Sequence, residues 1–244
     1  MIRVFFVLFV LSAALFGADA VIPTLNMNLS APKTPEQLVS SLNVLVILTL
    51  LVLAPSMVLV MTTFTRFIIV LGFLRQALGT QQVPPTQILV MLAMILTFFV
   101  MEPIGTKAYH QGIQPYVEKK IGYEEAFTKT VLPFKNFMIR NTREKDLALF
   151  LRIRKMKNPK TVADVPLSIV IPSFLISELK TAFEIGFLLF LPFLVIDMVV
   201  ASILMSMGMM MLPPVMISLP FKILVFVLID GWNLIIGNLI ASVK

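Results

Sequence analysis

Charges set inside a long apolar run constrain this chain more than any other feature. Residues 166–244 are almost entirely Leu, Ile, Val, Phe and Met, yet they hold Glu178, Lys180, Glu184, Asp197, Lys222 and Asp230. Charged side chains are expensive in hydrocarbon, so those found there face a partner or a water-filled path. In the middle of the run lies MSMGMMMLPPVM, residues 205–216, with six methionines in twelve positions. Methionine is unbranched and polarizable and adapts to irregular surfaces. Charged helices around such a segment suggest an assembled pore rather than a simple anchor.

The rest of the chain supports a membrane setting. Of 244 residues, 58% are hydrophobic and only 14% charged, against about half and about a quarter in soluble domains. This is the composition of an all-α integral membrane protein. The net charge of +7 is uneven: residues 107–160 hold thirteen Lys or Arg against five Asp or Glu. Such a segment could bind nucleic acid or acidic lipid. It has no recognition motif, however, and its excess is modest beside true basic tails. The reading is a solvated soluble domain with no nucleic-acid partner. The absence of cysteine excludes disulfides, thiolate metal sites and cysteine nucleophiles. The lone His110 has no ligand-spaced companion, and no HExxH, GxSxG, P-loop or GxGxxG is present. No enzyme activity, cofactor or metal site is expected.

Residues 1–20 read as a secretory signal peptide. Arg3 supplies the charged start, residues 4–16 the apolar core, and Ala18 and Ala20 the small-x-small cleavage site. The core is short of the roughly 20 residues a spanning helix needs. The competing reading is an uncleaved anchor. A cleaved signal implies that the mature N-terminus starts outside the cytoplasm.

Residues 21–40 then form an extracytoplasmic leader. Residues 41–106 form a first membrane hairpin, kinked at Pro55, with Arg66 and Arg75 in its cytoplasmic loop and a second helix starting near Thr86. Residues 107–165 form a small helical domain, with helices over 122–137 and 144–156 and Pro159 ending the second. Residues 166–244 form the second hairpin: a pre-segment over 167–180, a helix over 183–207 bent at Pro192, a turn over 208–214 and a returning helix over 215–243. The layout is thus two hairpins, four hydrophobic helices in all, with a soluble domain inserted between them. With the N-terminus outside, the basic domain is extracytoplasmic. That placement strains the positive-inside rule, which weakens for loops of about this length.

Two stretches are specific: PSFLISELKTAFEIGF at 172–187 and PFKILVFVLIDGW at 220–232. Together with the signal peptide and the hairpin, loop, hairpin layout, they resemble the FliP family, the flagellar biosynthetic proteins of the type III export gate. The resemblance covers essentially the whole chain. Ser173 departs from it, standing where a small residue, usually Ala, is expected. The resemblance implies a homo-oligomeric ring, assembled with FliQ-like and FliR-like membrane subunits and other export-apparatus proteins. The ring would surround a closed channel for unfolded flagellar subunits, in the bacterial inner membrane and flagellar basal body, with membrane lipid around it. Energy and substrate selection would come from other components. A virulence-system counterpart shares both motifs but usually lacks the signal peptide.

The residues themselves suggest parts for such an assembly. An unpaired charge in an apolar wall is strongly disfavoured, so Glu178 and Lys222 are candidates for an ion pair between subunits. Pairing within one subunit and solvent exposure are the alternatives. Lys180 and Glu184, four apart, can pair along one helix for a few tenths of a kcal/mol. Asp197 and Asp230 are further buried candidates at the interface; Asp230 could cap a helix end or hold a turn, and a proton relay is the sharper alternative. Gly208 and Pro213–Pro214 argue for a turn or re-entrant loop at the methionines. A ring of such loops would place Met205, Met207, Met209, Met210 and Met211 as a soft apolar gasket. It would close against ions partly by dewetting and deform around a passing chain. The family implies the same role. A small-solute or ion transporter using Asp197, Lys222 and Asp230 is the rival class. It needs a polar binding site that the methionines do not offer, and no comparable halves are visible.

Overall fold

Every long element among the described residues is a helix. The chain is seen in a computed structural model, which describes residues 35–80, 82–156, 159, 161, 164–209 and 213–243. The signal segment with Ala18 and Ala20, the leader up to residue 34, Met210 and Met211 lie outside the described residues. The helices are α1 (Pro35–Val60), α2 (Phe64–Ala77), α3 (Thr86–Ala108), α4 (Tyr123–Arg140), α5 (Glu144–Ile153), α6 (Leu167–Ser206), α7 (Pro214–Leu228) and α8 (Gly231–Ala241). A π-helical turn, Tyr109–Ile113, carries α3 on into a last turn, Gln114–Val117.

The chain divides into two compact units at Leu50 and Leu51. Within the first, the described residues are the N-terminal part of α1, whose Leu, Val and Ile side chains are largely exposed. All other described elements belong to the second unit.

The core of that second unit is built on α2, a helix the sequence reading missed. The sequence puts Arg66 and Arg75 in a cytoplasmic loop after the first membrane helix. Yet Phe67, Val70, Leu71 and Leu74 recur at helical spacing, and each is at most 1% exposed. They pack with Leu89, Ala93 and Leu96 of α3, Ala182 and Phe193 of α6, Phe226 of α7 and Leu239 of α8. The two arginines do not break the helix, because each finds a partner. Arg66 turns into the core, and Arg75 donates to the Thr86 hydroxyl at 3.0 Å. Where α6 crosses α2 the approach is close: a Cβ on Gly186 would lie 2.3 Å from the Phe73 ring.

Residues of the polar midsection share a second apolar cluster with the ends of the long helices. Phe137 and Met138 of α4 and Leu151 of α5 pack against Met101 of α3 and Ile169, Val170 and Phe174 of α6. Gly112 lets α4 dock on the π-helical turn, since a Cβ there would meet the Thr130 backbone nitrogen at 2.6 Å.

Two further expectations need correction. The first half of α6 is not a separate pre-segment: 40 residues run as one helix through Pro172 and Pro192. At 1.5 Å per residue it is about 60 Å long, twice the roughly 30 Å hydrocarbon thickness of a bilayer. The returning helix is broken. The α7 and α8 axes differ by 67°, because Asp230 adopts a left-handed conformation (φ 51°) that ends one helix and starts the next. Gly231 is required beside it, as a Cβ would lie 2.3 Å from the Phe226 ring.

Among the described residues, three helical stretches are long and apolar enough to cross a membrane: Ser41–Val60, Thr86–Val117 and Leu167–Ser206. The bent pair α7 and α8 makes a fourth if it counts as one span. The outward faces are strongly apolar, including Phe98 and Phe99 on α3, Phe187 and Met198 on α6, and Leu224 and Leu228 on α7.

Candidate functional site

The two specific motifs fall on α6 and on α7 with the start of α8, and their polar residues are held by partners distant in sequence. On the first half of α6, Ser177, Glu178, Lys180, Thr181 and Glu184 recur at one- to three-residue steps. This spread turns them toward two neighbours, α2 and the start of α5.

Toward α2, Glu178 is 0% exposed and Arg66 2%. Their side chains meet as a two-pronged pair, with Nε donating to Oε2 at 2.8 Å and a terminal nitrogen to Oε1. The other terminal nitrogen donates to the Ser242 carbonyl at 2.7 Å and to the Ser242 hydroxyl oxygen at 3.0 Å. One guanidinium thus ties α2, α6 and the end of α8. Breaking such a pair from one side strands a buried charge.

Toward α5, Asp146 is 2% exposed. It accepts from Lys180 and from the Ser177 hydroxyl at 2.8 Å. Burial alone would raise its carboxyl, but the bonds from Lys180 and Ser177, with the nearby charges of Lys180 and Arg143, hold it below the usual range. The Arg143 backbone N–H donates to Ser177 Oγ at 3.0 Å. The Arg143 side chain grips Glu184 through both terminal nitrogens, one of them at 2.8 Å. This pair is more exposed, and Glu184 raises the Arg143 guanidinium further above its usual value. Ser173 is fully buried. Its hydroxyl donates to the Ile169 carbonyl one turn back at 2.7 Å, so the extra oxygen is satisfied locally.

Between α6 and α7, Lys222 is 3% exposed. Its Nζ donates to Asp197 at 2.6 Å and to the Ala77 carbonyl at 3.1 Å. Ser218 donates to the other Asp197 oxygen. Asp230 is exposed at the α7–α8 break, with no side-chain partner among the described residues.

Several pairings therefore differ from those the sequence suggested. Glu178 and Lys222 do not meet each other within the chain; each is neutralised inside it, by Arg66 and by Asp197. Lys180 and Glu184 do not pair along α6; Lys180 meets Asp146 and Glu184 meets Arg143 instead. Asp230 is not buried. The partners that sequence reasoning missed are Arg66, Asp146, Arg143 and Ser218. A faint signal for Arg66 was available: it stands one residue before a helical apolar stripe, where a loop charge has no reason to sit.

At the other end of α6 the surroundings reverse. Gly208 takes a left-handed turn (φ 74°). Its N–H donates to the Met205 carbonyl at 3.0 Å and that of Met209 to the Leu204 carbonyl at 3.0 Å, the Schellman arrangement that stops a helix. Met205 and Met207 are each 65% exposed and Met209 37%. On the far side Pro213 and Pro214 start α7, with Met216 exposed. The described part of this connection presents thioethers and backbone, and no charge.

Comparison with known proteins places this arrangement. The FliP family model matches residues 47–239. A flagellar biosynthetic protein FliP of Bacillus subtilis is 53% identical over 216 residues, spanning 88% of this chain and 98% of that protein. One of Caulobacter vibrioides is 54% identical over 196 residues, 80% of this chain and 74% of that protein. One of Aquifex aeolicus is 49% identical over 207 residues, 84% of this chain and 87% of that protein.

Proposed function

Since this chain belongs to the FliP family, we infer that it serves flagellar biosynthesis as a membrane subunit of the type III protein export gate. The observation that carries the reading is the match to flagellar relatives over nearly the whole chain. The virulence-type counterpart and the solute transporter are not favoured.

The working unit is a homo-oligomeric ring in the bacterial inner membrane, joined by FliQ-like and FliR-like subunits and by other export-apparatus proteins. Unfolded flagellar subunits pass through it, and the chain contributes no chemistry of its own. Two observations support assembly. The outward faces of α1, α3, α6 and α7 are apolar well beyond what a soluble monomer leaves uncovered. The buried charges are neutralised within the chain, so a subunit can fold before it meets its neighbours. Residues 107–165 lie on the extracytoplasmic side, residues 1–20 act as the signal with cleavage after Ala20, and the two hairpins flank the soluble segment.

The gasket is the turn between α6 and α7. Met205, Met207 and Met209, with Met210 and Met211, form a collar that carries no charge and almost no hydrogen-bonding side chain. Such a constriction resists wetting, while flexible thioethers yield to a chain of any sequence. Irregular backbone at membrane depth is tolerated where it lines a cavity or is covered by protein. Asp230, exposed at the α7–α8 break, serves a subunit contact at the end of α7 away from this collar. The test is the species purified in mild detergent from cells making all three membrane subunits. A multi-copy ring holding two small membrane partners is expected; a lone monomer or dimer with no partner would overturn the reading.

A further inference from the structure

A cavity of about 720 Å³ opens between α3, α4 and the end of α8. Its lining divides by chemistry. Phe99 and Ile104 of α3, Ile240 of α8 and Val243 just beyond make an apolar wall, and Lys107 of α3 and Arg140 of α4 bring two cations to it. No acidic side chain among the described residues lines it. Neither cation forms a side-chain hydrogen bond or ion pair with another described residue.

This is unusual in a chain whose other cations near the helix contacts are engaged. Arg66, Arg143, Lys180 and Lys222 all have carboxylate partners. Arg140 sits in the last turn of α4, where the helix dipole favours a cation. That argument does not reach Lys107, because α3 continues past it into the π-helical turn. The cavity also lies where the Thr86–Val117 stretch turns from apolar to polar residues, so its two parts match the two parts of an amphiphile.

We propose that this cavity binds an anionic phospholipid, with the phosphodiester headgroup between Lys107 and Arg140 and an acyl chain along Phe99, Ile240 and Val243. Basic pockets between membrane helices hold acidic headgroups on the cytoplasmic side of membranes, and the same pairing of cations with a phosphodiester serves on either face. A free phosphate would leave the apolar wall unused, and a zwitterionic lipid would bring a third cation to a site that already has two. The basic excess of residues 107–160 thereby gains a specific use at two of its members. The site needs one copy of the chain only, so it stands independently of ring assembly.

The test uses the full chain purified in mild detergent, incubated with phosphatidylglycerol or phosphatidylcholine and weighed by native mass spectrometry. Phosphatidylglycerol is retained in preference to phosphatidylcholine. Lys107→Gln and Arg140→Gln each weaken retention about fivefold, the equivalent of about 1 kcal/mol per cation. The pair of exchanges Lys107→Arg and Arg140→Lys keeps it, which guards against loss through misfolding. Lys120→Gln with Lys129→Gln, which removes as much charge elsewhere, changes nothing. Equal retention of the two lipids would overturn the proposal. So would equal loss in the Lys120 and Lys129 control, displacement by inorganic phosphate at matched concentration, or a second copy of the chain occupying the cavity in crosslinking.

Discussion

The two ends of α6 are built on opposite principles. Between Ser177 and Glu184, each charged side chain has an ion-pair partner on another segment, and the most buried of them, Glu178, meets an Arg66 that also binds the Ser242 carbonyl. From Met205 to Met209 the same helix ends in exposed thioethers that touch little else in the chain. The polar end holds the subunit together. The apolar end contributes little to that. A buried ion pair contributes little net stability, since desolvation offsets attraction, but its geometry is demanding and removal of one partner is severe. A methionine turn is the reverse, permissive in geometry and nearly indifferent to substitution where it is exposed.

The sharpest break in that contrast comes at Arg66. Arg66→Ala strands Glu178 in the core, leaves the Ser242 carbonyl without its donor and is expected to cost about 3–5 kcal/mol. Unfolding in detergent, followed by circular dichroism, measures it. A double replacement, Arg66→Met with Glu178→Met, should recover most of the loss. Recovery by the single variant Glu178→Gln alone would show the pair to be less dry than described.

Lys222 distinguishes a partner inside the chain from one across subunits. Lys222→Glu sets two carboxylates together at Asp197 and should destabilise the subunit by about 3 kcal/mol. Asp197→Lys, not Glu178→Lys, should restore it. Rescue by Glu178→Lys, read as recovered assembly on native gels, would return the pair to the interface between copies.

A smaller effect is expected at the α2–α6 crossing. Gly186→Ala drives a methyl group into the Phe73 ring and should cost about 1–3 kcal/mol, typical of overpacking. Phe73→Leu in the same background should relieve part of it.

Acid probes the α5 side of the polar end. The Asp146 carboxyl is depressed in the folded chain, so its contribution is present above the ordinary Asp value of about 3.9. It fades as the pH falls through the lower folded value. Stability should therefore drop on acidification in that window, and Asp146→Asn should flatten the drop while lowering stability at neutral pH. An unchanged acid limb in that variant would remove Asp146 from the account.

Much of this architecture is legible in the sequence. The starts of α3, α4 and α5 follow from apolar periodicity and from Pro and Gly punctuation, which are local signals. The turn at Gly208 and Pro213 was legible for the same reason. What stayed hidden was long-range. The Arg66–Glu178 contact spans 112 positions, and no local spacing announces it, so Arg66 looked like a loop charge and α2 vanished with it. Lys180 and Glu184 carried a correct helical spacing, but tertiary partners outcompeted the local pair, which is worth only tenths of a kcal/mol. The continuity of α6 through two prolines reflects packing that a local rule does not contain. The α7–α8 break rests on one residue, Asp230, in a conformation that Asp adopts more readily than most.

The apolar end is where the account is most exposed to test. Replacing Met205, Met207 and Met209 with Ala should leave the stability of the subunit within about 0.5 kcal/mol of the parent, as for other exposed positions. The decisive measurement is ion conductance across the membrane of cells carrying the assembled gate, with Met205, Met207, Met209, Met210 and Met211 all replaced by Gly. The account predicts a subunit that still assembles and a membrane that leaks ions. A gate that assembles with these replacements and conducts no more than the parent would contradict it.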